Sequence, residues 1–176
     1  MIICAGNIES FPFATPIGIG LIESAMNLTR LCLFDKPDSL LFIGSAGSYG
    51  KHNLFDIVHS KNSSQIELSN INRQSYTPID NVISSENVSH ETPIVNSSNY
   101  ITTDKESWNF FQKNNILLEN MEFYAVLRVA KEFDIPTGGL FVVTNYCDKN
   151  AHNDFITNHK KAMKILTQKV KEFLNE

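Results

Sequence analysis

Apolar residues recur along this chain in two alternating rhythms, short continuous runs and longer stretches repeating every three to four positions. Residues 1–5 form a short apolar run that predicts a buried strand. From Ile17 to Phe34, Leu21, Ala25, Leu28 and Leu31 follow at helical spacing. A buried helix is predicted there, with Gly18 and Gly20 at its start permitting close backbone approach. Asp35, Pro37 and Asp38 break it, and Leu40–Ile43 reads as the next strand, ending in a glycine turn. Ile57–His59, Ile66–Leu68 and Asn81–Val88 are candidate strands, while the Ser/Asn-rich stretches 61–65, 69–75 and 84–89 read as turns and surface loops. Pro93-Ile94-Val95 starts a further strand.

The second half is more regular. Thr103 followed by Glu106 resembles a capping box for a helix through Phe111. Met121–Phe133 predicts a stronger helix, with Ala125, Val129 and Phe133 recurring at i+4, and Pro136 and the Gly138-Gly139 pair end that unit. Leu140–Thr144 is a short apolar strand, and the tail from Asp154 is amphipathic through Ile156, Met163, Leu166, Val170 and Phe173. Strands alternating with helices indicate an α/β fold, in which ligands sit beyond the carboxyl ends of strands. The Gly44 turn and the Thr144-to-Asp148 loop both follow predicted strands, so both fall where a site is expected.

Composition narrows the partners. The 176 residues suit one compact domain, 1–176, and a 42% hydrophobic content is enough for a core. A net charge of -4 without a basic tract argues against a nucleic-acid partner. A small anion is still compatible with a local arginine or a glycine-rich turn. Cys4, Cys32 and Cys147 are far apart and odd in number, which points to a reducing compartment rather than a disulfide scaffold. With neither a signal peptide nor a run of roughly 20 apolar residues, no membrane partner is expected and a cytoplasmic location is.

Three segments carry candidate chemistry, each with a plain structural alternative. Gly44-Ser45-Ala46-Gly47 could offer backbone N–H groups and a hydroxyl to an anion or sugar, or be an ordinary tight turn. It is neither a P-loop nor a dinucleotide fingerprint. Glu122 could accept sugar hydroxyls while Met121 packs against the ring, or be a first-turn glutamate beside a core methionine. Asp148 could assist a departing base as an acid or merely cap the last helix, with His152 and His159 as rival donors. His52, His59, His90, His152 and His159 are dispersed without ligand spacing, so no metal or other cofactor is expected.

Taken together, these residues resemble the superfamily of purine nucleoside phosphorylases and methylthioadenosine/S-adenosylhomocysteine nucleosidases, with a small bacterial phosphorylase-like form as the nearest likeness. The resemblance implies a three-layer α/β/α fold with a central mixed sheet, shortened near the N-terminus. It implies that Ser45, Ala46 and Gly47 line the phosphate or water site and contact substrate, and that Met121 and Glu122 hold ribose. By the same likeness, Tyr100 stacks on the base, Ile101 meets it through its backbone, and Asp148 is the acid. Gly6 and Glu9 resemble the anion-side or water-side loop, with Glu9 the candidate base for hydrolysis.

Some features depart from the family pattern. Cys147 stands where serine precedes the acid. Phe42 stands near the position of a phosphate-binding arginine, so Arg30, Arg73 or a neighbouring subunit would have to hold phosphate together with Gly6, Ser45 and Gly47. The resemblance favours phosphorolysis of a purine ribonucleoside, with inorganic phosphate as co-substrate and a homo-oligomeric assembly. Hydrolysis of methylthioadenosine or a related adenine nucleoside is the alternative, and a non-catalytic nucleoside-binding homologue is a third.

Overall fold

The computed structural model describes residues 1–86 and 91–174. Its strands are β1 (Ile2–Cys4), β2 (Thr15–Pro16), β3 (Leu40–Ser48), β4 (Ile57–Ser60), β5 (Asn62–Ser64), β6 (Val82–Ser84), β7 (Ile94–Ser97), β8 (Ile116–Asn120) and β9 (Thr137–Tyr146). The helices are α1 (Gly20–Asp35), α2 (Leu68–Ile71), α3 (Trp108–Lys113), α4 (Phe123–Glu132) and α5 (Ala151–Leu174). All nine strands join one mixed sheet, running β2-β1-β3-β8-β7-β5-β6, with β9 on the other edge of β3 and β4 beyond it. This is the expected α/β architecture with a central mixed sheet. The segment between β1 and α1 holds only the two-residue β2.

Strand alternation divides the core in two. Successive side chains of a strand point to opposite faces. Accordingly Leu40, Phe42, Phe141 and Val143 pack with α1 and α4 through Leu28, Leu31, Val126 and Leu127. Their neighbours Ile43, Leu140 and Val142 pack with Ala162, Leu166 and Val170 of α5. Helices thus cover both faces, which is why β3 and β9 are nearly continuously apolar. Gly139 belongs to this packing, because a Cβ there would meet the rings of Phe141 at 2.5 Å and Phe123 at 2.8 Å.

Several expectations need correction. Gly44–Gly47 is not a turn: β3 continues through it, paired along its length with β9. Gly138-Gly139 does not end a unit but starts β9. The stretch 61–65, read as a surface loop, contains the buried strand β5, whereas Ile66–Leu68 is not a strand and runs into α2. Small polar side chains can be buried in a strand when each finds a partner. Ser63 donates to the Val95 carbonyl at 2.6 Å, and Ser64 donates to Asn96 Oδ1 at 2.9 Å. Of the candidate strand Asn81–Val88, Val82–Ser84 forms β6, and its last two residues, like His90, lie outside the described residues. The cap near residue 105 is Asp104, accepting from Glu106 N at 2.9 Å, rather than Thr103. The helix expected from Met121 begins at Phe123, and the strand before it, β8, was not foreseen.

One feature of the sheet prepares a site. β1 pairs with residues 41–43 of β3, and β8 pairs antiparallel with residues 47–48. Since β9 takes the other edge of β3, β1 and β8 share one edge and leave Gly44–Ala46 between them without a strand partner there. Such an interruption in strand order is where open α/β sheets form crevices.

Candidate active site

The gap beside β3 opens into a cavity of about 260 Å³. Its wall brings together Gly6 and Glu9 after β1, Ser45, Ala46 and Gly47 of β3, Met121 and Glu122 after β8, and Tyr100 and Ile101 after β7. These nine residues were singled out from separate parts of the sequence. Tyr100 and Ile101 are more than half exposed and stand at its rim.

A tight turn aims Glu9 at β3. Gly6 has φ +97°, and its carbonyl accepts Glu9 N at 3.0 Å. The Glu9 carboxylate accepts Ser45 N at 3.2 Å and a short hydrogen bond from the Ser45 hydroxyl. Gly44 leaves room for this, since a Cβ there would lie 3.1 Å from Glu9 Oε2. Burial raises the Glu9 pKa above the usual carboxylate value, and the Ser45 donors oppose that rise.

Glu122 is held from the opposite side. It accepts Gly20 N at 2.9 Å, Met121 N at 3.2 Å and Asn120 Nδ2 at 3.4 Å. Gly20, at φ +79°, starts α1, so the carboxylate caps a 16-residue helix belonging to another part of the chain. The close backbone approach expected of this glycine is therefore realised. Burial raises the Glu122 pKa to about 7, with the Gly20 N–H opposing and the Glu9 charge adding to the rise.

A third carboxylate on the wall, Glu119, is tied back into the protein. It accepts Thr102 N at 2.8 Å, Thr102 Oγ1 at 2.6 Å and the Tyr49 hydroxyl at 2.5 Å. This anchors the chain that carries Tyr100 and Ile101. Burial raises its pKa too.

Three candidate residues are not brought to the cavity. Asp148 lies off its wall, where Oδ1 accepts Asn150 N at 2.8 Å and Oδ2 pairs with Lys105 Nζ at 3.2 Å. The strand-end residue that does line the cavity is Asn145, which sequence reasoning passed over although it directly follows the predicted strand Leu140–Thr144. Arg30 is exposed on α1 and also off the wall, as is Arg73. Among the described residues no lysine or arginine lines this cavity. Ile8, Ile19, His152 and Phe155 also line the wall and carried no motif that would have identified them, although His152 had been weighed as a donor. No group of three or more His, Cys, Asp or Glu among the described residues converges to hold a metal ion. No helix among them is long and apolar enough to cross a membrane.

Comparison with known proteins shows the family and the fold. The family described as the phosphorylase superfamily matches residues 3–175. A mutant Helicobacter pylori MTAN with 5′-methylthioadenosine in its active site superimposes with TM-score 0.81 at 16% identity, covering 99% of this chain and 96% of that one. Native futalosine hydrolase of Helicobacter pylori gives TM-score 0.81 at 18% identity, with coverage of 99% and 96%. Streptococcus pneumoniae MTA/SAH nucleosidase with 8-aminoadenine gives 0.78 at 15%, with 98% and 97%. No curated protein matches the sequence significantly.

Proposed function

The chain belongs to the phosphorylase superfamily, and from that premise we propose that it hydrolyses the N-glycosidic bond of a purine nucleoside, with water as the nucleophile. The observation that carries this reading is Glu9. Its carboxylate occupies both the backbone N–H and the hydroxyl of Ser45, the donors the sequence had reserved for phosphate. A phosphate entering there would meet the charges of Glu9 and Glu122 with no lysine or arginine on the cavity wall to offset them. Water meets no such repulsion. The names nucleosidase and hydrolase borne by proteins of the same fold agree with this choice over the phosphorolysis favoured by the sequence.

In this reading Glu122 accepts the ribose hydroxyls while Met121 packs beneath the ring. Tyr100 stacks on the base. As the C1′–N bond breaks, its electron pair leaves with the base and positive charge develops on the sugar. Glu9 and Glu122 stabilise that charge. Water adds to C1′, and Glu9 takes its proton. Ile8, Ile19 and Phe155 offer an apolar surface to an uncharged 5′ group.

Incubation with inosine, adenosine and methylthioadenosine, with and without phosphate, tests this by product identity. Free base and free sugar in phosphate-free buffer are expected, and Glu9→Gln should slow their release about 100-fold. Sugar 1-phosphate formed only when phosphate is present would overturn the reading.

A further inference from the structure

Residues 98–102 run on from β7 outside any helix or strand and carry Tyr100 and Ile101 to the rim of the cavity. Tyr100 is 79% exposed and Ile101 53%, so packing of their own side chains does not fix them. The strap is held at its two ends, and both ends are tied to β8. At one end Ser98 N donates to the Asn120 carbonyl at 3.2 Å. At the other, Thr102 gives both of its donors to one carboxylate, its N–H to Glu119 Oε1 at 2.8 Å and its hydroxyl to Oε2 at 2.6 Å. Between them, Asn99 adds an exposed tie by accepting Leu21 N at 2.9 Å.

The clamp at Glu119 has a firm base. Glu119 sits inside β8, paired with Gly47 of β3 on one side and Asn96 of β7 on the other. Its Oε2 also accepts the Tyr49 hydroxyl at 2.5 Å, and the wholly buried Tyr49 ring stacks on Phe111 at 4.2 Å. A carboxylate has lone pairs enough for all three donors. Thr102 is itself buried, so releasing it would leave its donors without partners.

Resting on the nucleosidase reading above, we infer that Glu119 is a positioning residue, which acts through Thr102 to set Tyr100 for the purine before substrate arrives. Its carboxylate borders the cavity, but both oxygens are engaged by protein donors. Glu119 therefore acts on the base through the strap and not directly on the sugar. Holding a contact surface in its bound conformation lowers the ordering cost of binding. That gain is the same in the ground state and the transition state, so it appears in KM rather than in kcat. Glu9 and Glu122 differ, because their charges act on the developing sugar cation and so on kcat.

The experiment compares wild type with Glu119→Ala, Glu119→Gln, Thr102→Val and the double variant Glu119→Ala/Thr102→Val. Steady-state kinetics on inosine and adenosine is combined with calorimetry of hypoxanthine, adenine and iminoribitol, a sugar mimic without a base. Glu119→Ala should raise KM at least about tenfold, with kcat within about threefold of wild type and base binding weakened to match. Iminoribitol should bind within about twofold of wild type. Thr102→Val keeps the backbone N–H and loses the hydroxyl. It should raise KM about three- to fivefold, and add less than about twofold in the Glu119→Ala background. Glu119→Gln should recover most of the loss, since its oxygen still accepts Thr102 N and the two hydroxyls can turn to accept from its amide.

A kcat loss in Glu119→Gln as deep as in Glu119→Ala, or weakened iminoribitol binding, would show a charge acting on the sugar and overturn the inference. Additive effects in the double variant would overturn it too. So would a silent Thr102→Val, which decides the matter even where Glu119→Ala does not fold. Failure of wild type to cleave any nucleoside would instead defeat the nucleosidase reading, while calorimetry of the bases would still decide what Glu119 does. Absence of base binding by wild type would overturn the inference.

Discussion

Glu122 and Asp148 stand at corresponding places, each two residues past the end of a strand and each leading into a helix, yet the fold treats their carboxylates oppositely. Glu122 turns back across the molecule to the N-terminus of α1 and borders the cavity. Asp148 turns into its own loop, satisfied by Asn150 N and by Lys105, which also lies 4.9 Å from the centre of the Trp108 ring. Trp108 in turn donates to the Cys147 carbonyl at 2.7 Å, fixing that loop against α3. A carboxylate past a strand is therefore not a site by position. What reaches the cavity is decided by which donors are closer than the substrate.

The largest test of this contrast removes the charge that faces the cavity. Glu122→Gln retains an acceptor for Gly20 N but loses the negative charge beside the developing sugar cation. Nucleoside hydrolysis should fall about 100- to 1000-fold, measured as kcat in phosphate-free buffer. A loss of less than about fivefold would mean that Glu122 serves only as a cap for α1.

The next effect is on stability against pH. The folded-state pKa of Glu122, about 7, is raised above its ordinary value, chiefly by burial. Between that ordinary value and about pH 7 the folded state binds more protons than the unfolded state. The stabilisation from this group is therefore complete at acid pH and is lost as pH rises through about 7. The slope approaches about 1.4 kcal/mol per pH unit at most, and Glu9 and Glu119, also raised by burial, add to it in the same direction. Denaturant unfolding from pH 5 to 8 should show falling stability, with a shallower fall in Glu122→Gln. Stability that rises with pH over this window would show that the Gly20 and Met121 donors outweigh burial.

The contrast also explains what the sequence could reveal. The apolar runs Leu40–Ile43 of β3 and Leu140–Val143 of β9 were legible because burial of aliphatic side chains needs no particular partner. β5 was not, because Asn62, Ser63 and Ser64 are buried only through partners some 30 residues away. At the site, Glu122 and Glu9 were found because their neighbouring residues resemble a family pattern. Asp148 was singled out because a carboxylate suggested an acid, and Asn145 was passed over. The three-residue difference between them is settled by the turn after β9, where Cys147 N bonds back to the Ser48 carbonyl at 2.9 Å and carries Asp148 away from the gap. That turn has no sequence signature, since its partner lies on another strand.

The smallest expected effect belongs to Asp148. Asp148→Asn keeps an acceptor for Asn150 N and removes only the charge facing Lys105, whose side chain is 63% exposed. Asp148 itself is buried, but its partner is largely in solvent, which screens the pair and keeps its contribution small. The thermal midpoint should move by about 2 °C or less, and hydrolysis should stay within about twofold of wild type. The asymmetry with Glu122→Gln is the sharpest form of the contrast, because both substitutions exchange a carboxylate for its amide two residues past a strand. If Asp148→Asn instead reduced turnover about as far as Glu122→Gln, the loop after β9 would have to bring its carboxylate to the base when substrate binds. Lys105 would then be a latch rather than a resting partner, and Lys105→Met should raise turnover rather than leave it unchanged.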